Sequence, residues 1–171
     1  MHKLVKQAQK GDPKAFTELI EAHKNSMYRV AKGFFRSDED AADAIQETIL
    51  ACYEHISELR ETRYFKTWLI RILINKCSRI KRANERYVGM VQMPERGAYD
   101  QGQANAEFMM LMDTLDEGLR VVLILYYAEQ MRVRDICTAT GLSESAIKAR
   151  LKRGREKAKK IYDIQQAEVL L

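Results

Sequence analysis

Proline is nearly absent from this sequence, with two in 171 residues, and glycine is sparse, with eight. Few breaks are therefore enforced, and nearly the whole chain reads as helix, with no strand pattern and no internal repeat. The glycines form no phosphate-cradling loop of the nucleotide-binding kinds. Cysteine is as scarce. Cys52, Cys77 and Cys137 stand singly at helical apolar positions, with no C-x-x-C pair and no histidine at ligand spacing. They read as small buried hydrophobes, and neither a metal nor another cofactor is expected. His2, His23 and His55 have no serine, cysteine or metal-ligand partner in view, so catalysis is not expected either. No apolar run reaches the roughly 18 uncharged residues of a membrane helix, because Arg71 interrupts the best stretch. The opening MHKLVKQAQKGD lacks the apolar core of a signal peptide. The expectation is a cytoplasmic protein with no membrane insertion of its own.

Charge is plentiful but segregated. Lys and Arg number 29 against 24 Asp and Glu, for a net charge of +5. From Asp38 to Glu61 eight acids face one base, Arg60; from Arg63 to Arg82 there are seven bases and no acid. From Lys148 to Lys160 eight bases accompany Glu156 alone. Two basic blocks far apart in sequence fit a long polyanion touched at two places.

The periodicity divides the chain. Gly11 closes a short first helix, Asp12 caps the next and Pro13 takes its first position. Phe16, Leu19, Ile20, Met27 and Val30 then carry one helix as far as Gly33. Ser37 with Asp40 marks the start of a third, running through Ala41, Ile45, Ile49 and Tyr53, and residues 64–82 form a fourth. Between about 85 and 105 the pattern fails among Gly89, Pro94, Gly97 and Gly102. Residues 1–85 thus read as a four-helix domain, 86–105 as a flexible linker and 106–171 as a second helical domain. In the latter, Phe108, Leu111 and Leu115 resume a helix, and Asp116 can cap another carrying Val122, Leu123 and Tyr126.

The segment VRDICTATGLSESAIKARLKRGREK has the grammar of a helix-turn-helix. Ile136 and Cys137 belong to a short helix, Gly141 makes the left-handed turn, Leu142 plugs the core and Ser143 caps the next helix. There Ile147, Leu151, Gly154, Ala158 and Ile161 make one buried seam, which leaves Ser145, Lys148, Ala149, Lys152 and Arg153 outward for a major groove. A helical hairpin with a solvated basic face is the plainer alternative.

Residues 64–82, YFKTWLIRILINKCSRIKR, pose a different case. At 100° per residue Tyr64, Thr67, Trp68, Arg71, Asn75, Ser78, Arg79 and Arg82 share one stripe, opposite Phe65, Leu69, Ile72, Leu73 and Ile80. Stacking surfaces, an amide that reads base edges and cations for phosphates make the stripe suited to single-stranded nucleic acid. The alternative is a core tryptophan among solvated bases.

With GDPKAF at 11–16, DAADAIQETIL at 40–50, FKTWLIRILINK at 65–76 and IKARLKRGREK at 147–157, the sequence resembles an extracytoplasmic-function sigma factor of bacterial RNA polymerase. That resemblance implies an all-α protein of two small domains joined by a linker, the second a helix-turn-helix. It implies that Asp43, Gln46 and Glu47 dock on the clamp helices of the polymerase beta-prime subunit. Ser57 to Tyr64 and the face from Thr67 to Arg82 would melt the minus-ten element and hold its non-template strand, through Arg60, Arg63, Tyr64, Thr67, Trp68, Arg71, Asn75, Arg79 and Arg82. Ser143, Ser145, Lys148, Ala149, Lys152, Arg153 and Arg155 would read the minus-thirty-five element. Ala146 and Ala149 replace hydroxyl residues usual in that helix. Core polymerase, promoter DNA and an anti-sigma factor are the implied partners. A stand-alone helix-turn-helix regulator is the other reading; it leaves the acidic helix and the basic-aromatic stripe without a task.

Overall fold

The computed structural model describes residues 1–87 and 110–169, and the side chains of 1–85 and 110–160. The linker assigned to 86–105 lies almost entirely outside the described residues; 86 and 87 end a helix. Every regular element among the described residues is helical.

The N-terminal elements follow their caps. Helix α1 (His2–Gln9) stops at Gly11, whose φ of 86° is left-handed. The Asp12 carboxylate accepts the N–H groups of Lys14 at 2.9 Å and Ala15 at 3.2 Å, and Pro13 opens α2 (Pro13–Glu21). The single helix expected up to Gly33 is in fact two, since α3 (Lys24–Phe34) starts afresh. The cause is His23. Its Nδ1 donates to the Leu19 carbonyl at 2.9 Å, and its backbone N–H turns to Ile20 O at 2.9 Å. A side chain thus satisfies the carbonyl that the continuing helix would have used.

Helix α4 (Asp38–His55) begins where Ser37 Oγ accepts the Asp40 N–H at 3.3 Å, with Asp38, Glu39 and Asp40 at its positive end. Short 3-10 turns at Ile56–Glu58 and Thr62–Tyr64 lead to α5 (Phe65–Tyr87). This helix is the centre of the molecule, with α3 and α4 packed against it and Phe65, Leu69, Ile70, Leu73 and Cys77 fully buried.

After helical residues 110–113 comes α6 (Glu117–Leu123), which runs into a π turn at Ile124–Ala128. Asp116 precedes α6 as expected but makes no capping bond. Its carboxylate goes instead to Lys157, 2.5 Å away, whose ammonium holds the Asp116 pKa below the ordinary range. Helices α7 (Val133–Thr140) and α8 (Glu144–Val169) are the last of the described elements.

The two units share one core. Helix α7 packs on α5, and α6 with the π turn packs on α3. Gly33 makes the second contact possible, because a Cβ there would lie 3.1 Å from Ile124 Cδ1 and 3.3 Å from Val121 Cγ2. Arg120, itself buried, donates from Nε to the Gly33 carbonyl at 2.8 Å.

A nucleic-acid and polymerase interface

The helix-turn-helix forms as its sequence requires. Gly141 takes φ 74°, Ser143 Oγ accepts the Ala146 N–H at 3.2 Å, and Ile147, Leu151 and Gly154 are buried. A Cβ on Gly154 would sit 2.7 Å from Leu123 Cδ1, so only glycine lets α8 approach α6 this closely. The seam's last member, Ile161, lies beyond the described side chains. All seven residues expected to meet duplex DNA are exposed: Ser143, Ser145, Lys148, Ala149, Lys152, Arg153 and Arg155. Ser143 is committed to its cap and to Ser145 Oγ at 3.0 Å; Lys148 leans on Glu144 at 2.6 Å. An exposed pair of this kind holds its lysine weakly.

The α5 stripe is less uniform. Arg71, Asn75, Arg79 and Arg82 are exposed, as are Arg60, Arg63 and Tyr64 in the preceding loop, where the Arg63 guanidinium lies 4.9 Å over the Tyr64 ring. Thr67 and Trp68 are half-buried, and the indole packs on the core with its ring 6.1 Å from Phe65. Trp68 is thus part core residue and part surface, between the two roles the sequence left open.

On α4, Asp43 and Gln46 are exposed, whereas Glu47 is turned toward α5 and paired with Arg79 and with Lys76 at 3.4 Å. The stripe and the acidic helix therefore meet at this residue. Tyr53, the last of the residues that mark this helix in the sequence, is 61% exposed, and Leu50 is 60% exposed. Both follow Gln46 on its own face at helical spacing, a signal the sequence offered. Tyr126, which the sequence carries with Val122 and Leu123 on one helix, is exposed where they are buried, because the π turn rotates it out beside Tyr127.

Cys52 and Cys77 are fully buried, and burial pushes both thiols up to about 12. Cys137 is only half-buried. Among the described residues no group of His, Cys, Asp or Glu could hold a metal, and no helix is long and apolar enough to cross a membrane.

The residue the sequence did not reveal is Glu129. Its side chain is fully buried at the junction of the units, where it meets Ser26 Oγ, Arg29 Nε at 2.8 Å and Lys66 Nζ at 2.9 Å. Burial alone would raise its pKa, but the Ser26 and Lys66 bonds and the two cations outweigh this and hold it below the ordinary glutamate value. The π turn sets its position through the Glu129 N–H to Ile124 O bond at 3.0 Å, and Gln130 turns the chain away at φ 53°.

A helix-turn-helix with an open basic face, seated on a helical unit with an open basic-aromatic stripe, is a construction suited to a DNA-binding protein. The Sigma-70 region 2 family matches residues 19–87, and the Sigma-70, region 4 family matches residues 105–157. Among relatives, RNA polymerase sigma factor CnrH of Cupriavidus metallidurans is 28% identical, covering 94% of this chain and 93% of its own. ECF RNA polymerase sigma factor SigW of Bacillus subtilis is 25% identical, covering 92% and 94%. The solved structure of CnrH in complex with the cytosolic domain of CnrY superposes with a TM-score of 0.70 at 25% identity, over 95% of this chain and 97% of that one. The fold is also that of the sigma factor RpoE, solved with the anti-sigma factor NepR from Bartonella quintana, at a TM-score of 0.74 and 19% identity over 88% and 98%. The chain belongs to the sigma-70 family of RNA polymerase sigma factors, in its extracytoplasmic-function group. It is a transcription initiation factor.

Proposed function

We propose that this sigma factor joins core RNA polymerase through the α4 face of Asp43, Gln46 and Glu47, the latter once freed from Arg79, against the beta-prime clamp helices. Leu50 and Tyr53 extend that face. The loop and stripe from Arg60 to Arg82 melt the minus-ten element and hold its non-template strand, and the face of α8 from Ser143 to Arg155 reads the minus-thirty-five element as duplex. The work is done in the cytoplasm, where the polymerase is, and the division into residues 1–85, 86–105 and 106–171 is the division of labour. The observation that carries this reading is that both DNA faces are open to solvent while the backs of the same helices are buried.

The closed arrangement must open for this task. The two elements lie about 25 base pairs apart, roughly 85 Å at 3.4 Å per base pair. A compact chain of 171 residues has a radius of gyration of only about 15 Å. Both elements can be reached together only when the units part, with the polymerase as their scaffold. The protein alone therefore has little promoter affinity, since neither face gains from the other until their spacing is fixed.

Control by an anti-sigma factor completes the proposal. It is supported by the relative CnrH, solved with the cytosolic domain of a second protein, CnrY, bound to it. Run-off transcription with core polymerase and genomic DNA, sequenced, tests the reading, because role and promoter emerge together. Tight, sequence-specific binding by the isolated chain, with no dependence on core enzyme, would favour a stand-alone regulator instead.

A further inference from the structure

Helix α1 lies outside both family matches, the first of which begins at residue 19, and no role has so far fallen to it. It is nevertheless firmly built in. Val5 and Ala8 are buried, and α1 packs along α2. Its last residue, Gln9, reaches across to the segment before α5. The Gln9 Nε2 donates to the carbonyls of Ile56 at 3.0 Å and Leu59 at 2.7 Å. At the other end of α1, His2 Nδ1 lies 3.1 Å from Thr62 Oγ1. One helix therefore holds this segment at 56, 59 and 62, while Arg60, Arg63 and Tyr64 remain exposed beyond the anchors.

Apart from Ile56, buried in the core, and Leu59, packed against it, the segment's side chains face outward and only short turns order its backbone. Its two turns are short, with Leu59 N–H to Ile56 O at 3.3 Å in the first and Tyr64 N–H to Glu61 O at 3.0 Å and Phe65 N–H to Thr62 O in the second. A carboxamide is the one acidic-size side chain that presents two N–H donors from a single nitrogen, and both are used here on carbonyl oxygens. A carboxylate in its place would set oxygen against oxygen.

We propose that α1 is the positioning element of the loop at 56–64 and that Gln9 is its pin, so that promoter preference at the minus-ten element depends on a residue that touches no DNA. This rests on the reading of the loop as a minus-ten reader given above. A side chain that selects a base must be held to a fraction of an ångström, and short turns with one buried anchor, Ile56, at the loop's start do not hold its far end that closely.

Two measurements decide the matter. In the free protein, Gln9→Glu and Gln9→Met should speed amide hydrogen exchange at 57–64 by about tenfold and leave exchange in α4 and α5 unchanged. Unchanged exchange in the loop overturns the pin. In holoenzyme, transcription from a library randomised at the minus-ten element should show discrimination lowered by about fivefold, with holoenzyme yield and minus-thirty-five preference unaltered. An even loss of output from every promoter overturns the proposal, since that is what damage to the fold would give. Tyr64→Ala in the same library separates the two layers. If it leaves minus-ten preference intact, the promoter reading of the loop fails, while the exchange experiment still decides whether Gln9 holds it.

Discussion

Replacing Glu129 with glutamine should loosen the junction between the units of the free protein. The carboxylate is fully buried, whereas the side chains of its cationic partners Arg29 and Lys66 are 20% and 39% exposed. Removing one member of a buried charged network costs about 3 to 5 kcal/mol when the others are left stranded. Here the stranded cations can turn to water, and the amide keeps an acceptor for one of them, so about 2 kcal/mol is the better figure. At about 1.4 kcal/mol per tenfold, that is a shift of about thirtyfold from closed toward open. Small-angle scattering should show a larger radius of gyration. Core polymerase should bind more tightly, because affinity scales with the fraction of chains already competent.

Acid should reproduce the effect. The folded-state pKa of Glu129 is lowered, so its contribution is present above the unfolded value and is lost as pH falls through the folded one. With an unfolded glutamate near pH 4.3, loosening should set in below about pH 4.3 in the parent and be weaker in the Glu129→Gln variant, where the carboxylate of Glu117, paired with Lys81, is left across the junction. If the variant unfolds more readily yet keeps the parent's radius of gyration and core affinity, Glu129 is a packing residue and not a latch.

The remaining expectations address the three faces. Asp43→Ala with Gln46→Ala should weaken core binding by about tenfold in titration while thermal unfolding is unchanged, because both side chains are exposed. Lys148→Ala or Arg153→Ala should cost about 1 to 3 kcal/mol in holoenzyme docking on duplex if the residue contacts a base, with melting of a pre-docked complex spared. Asn75→Ala should do the opposite, leaving docking intact and lowering the permanganate reactivity of unpaired thymines; open complexes equal to the parent's would make the stripe a solvated face. Gly154→Ala should destabilise the protein by about 1 to 3 kcal/mol, since its Cβ meets Leu123.

The caps were legible because they are local. Asp12 with Pro13, Ser37 before Asp40, Gly141 and Ser143 each act within three residues, and all four stand where the sequence put them. The helix break at His23 was not, because a histidine at the end of an apolar turn carries no sign that its ring will take the carbonyl four residues back. The π turn escaped for a similar reason. One extra residue in the helix rotates Tyr126 out and Glu129 in, and no pattern of 3.6 residues foretells it.

Glu129 and Gln9 were hidden by distance. The partners of Glu129 lie 63, 100 and 103 residues away in sequence, and those of Gln9 lie 47 and 50 away. A lone glutamate after an apolar run and a glutamine before a glycine look like surface residues. Packing of the units on each other makes Glu129 a buried ion, and packing of α1 against the segment before α5 within the first unit makes Gln9 a clamp.

The charge blocks were legible as a whole, but their meeting was not. Reading α4 and α5 on separate wheels assigns Glu47 to one partner and Arg79 to another, yet the two are paired, with Lys76 alongside. Arg79 is 65% exposed and Glu47 38% exposed, so the pair contributes about 0 to 1 kcal/mol and is easily exchanged. A basic polymerase surface that takes Glu47 leaves Arg79 free, and a phosphate that takes Arg79 leaves Glu47 free. Each event removes the competitor of the other, so core docking and strand capture should favour one another by up to that same amount. On the proposed reading, Glu47 should therefore limit how far α5 binds nucleic acid before the polymerase arrives, and salt-dependent strand binding by the Glu47→Gln variant in the absence of core enzyme should exceed the parent's.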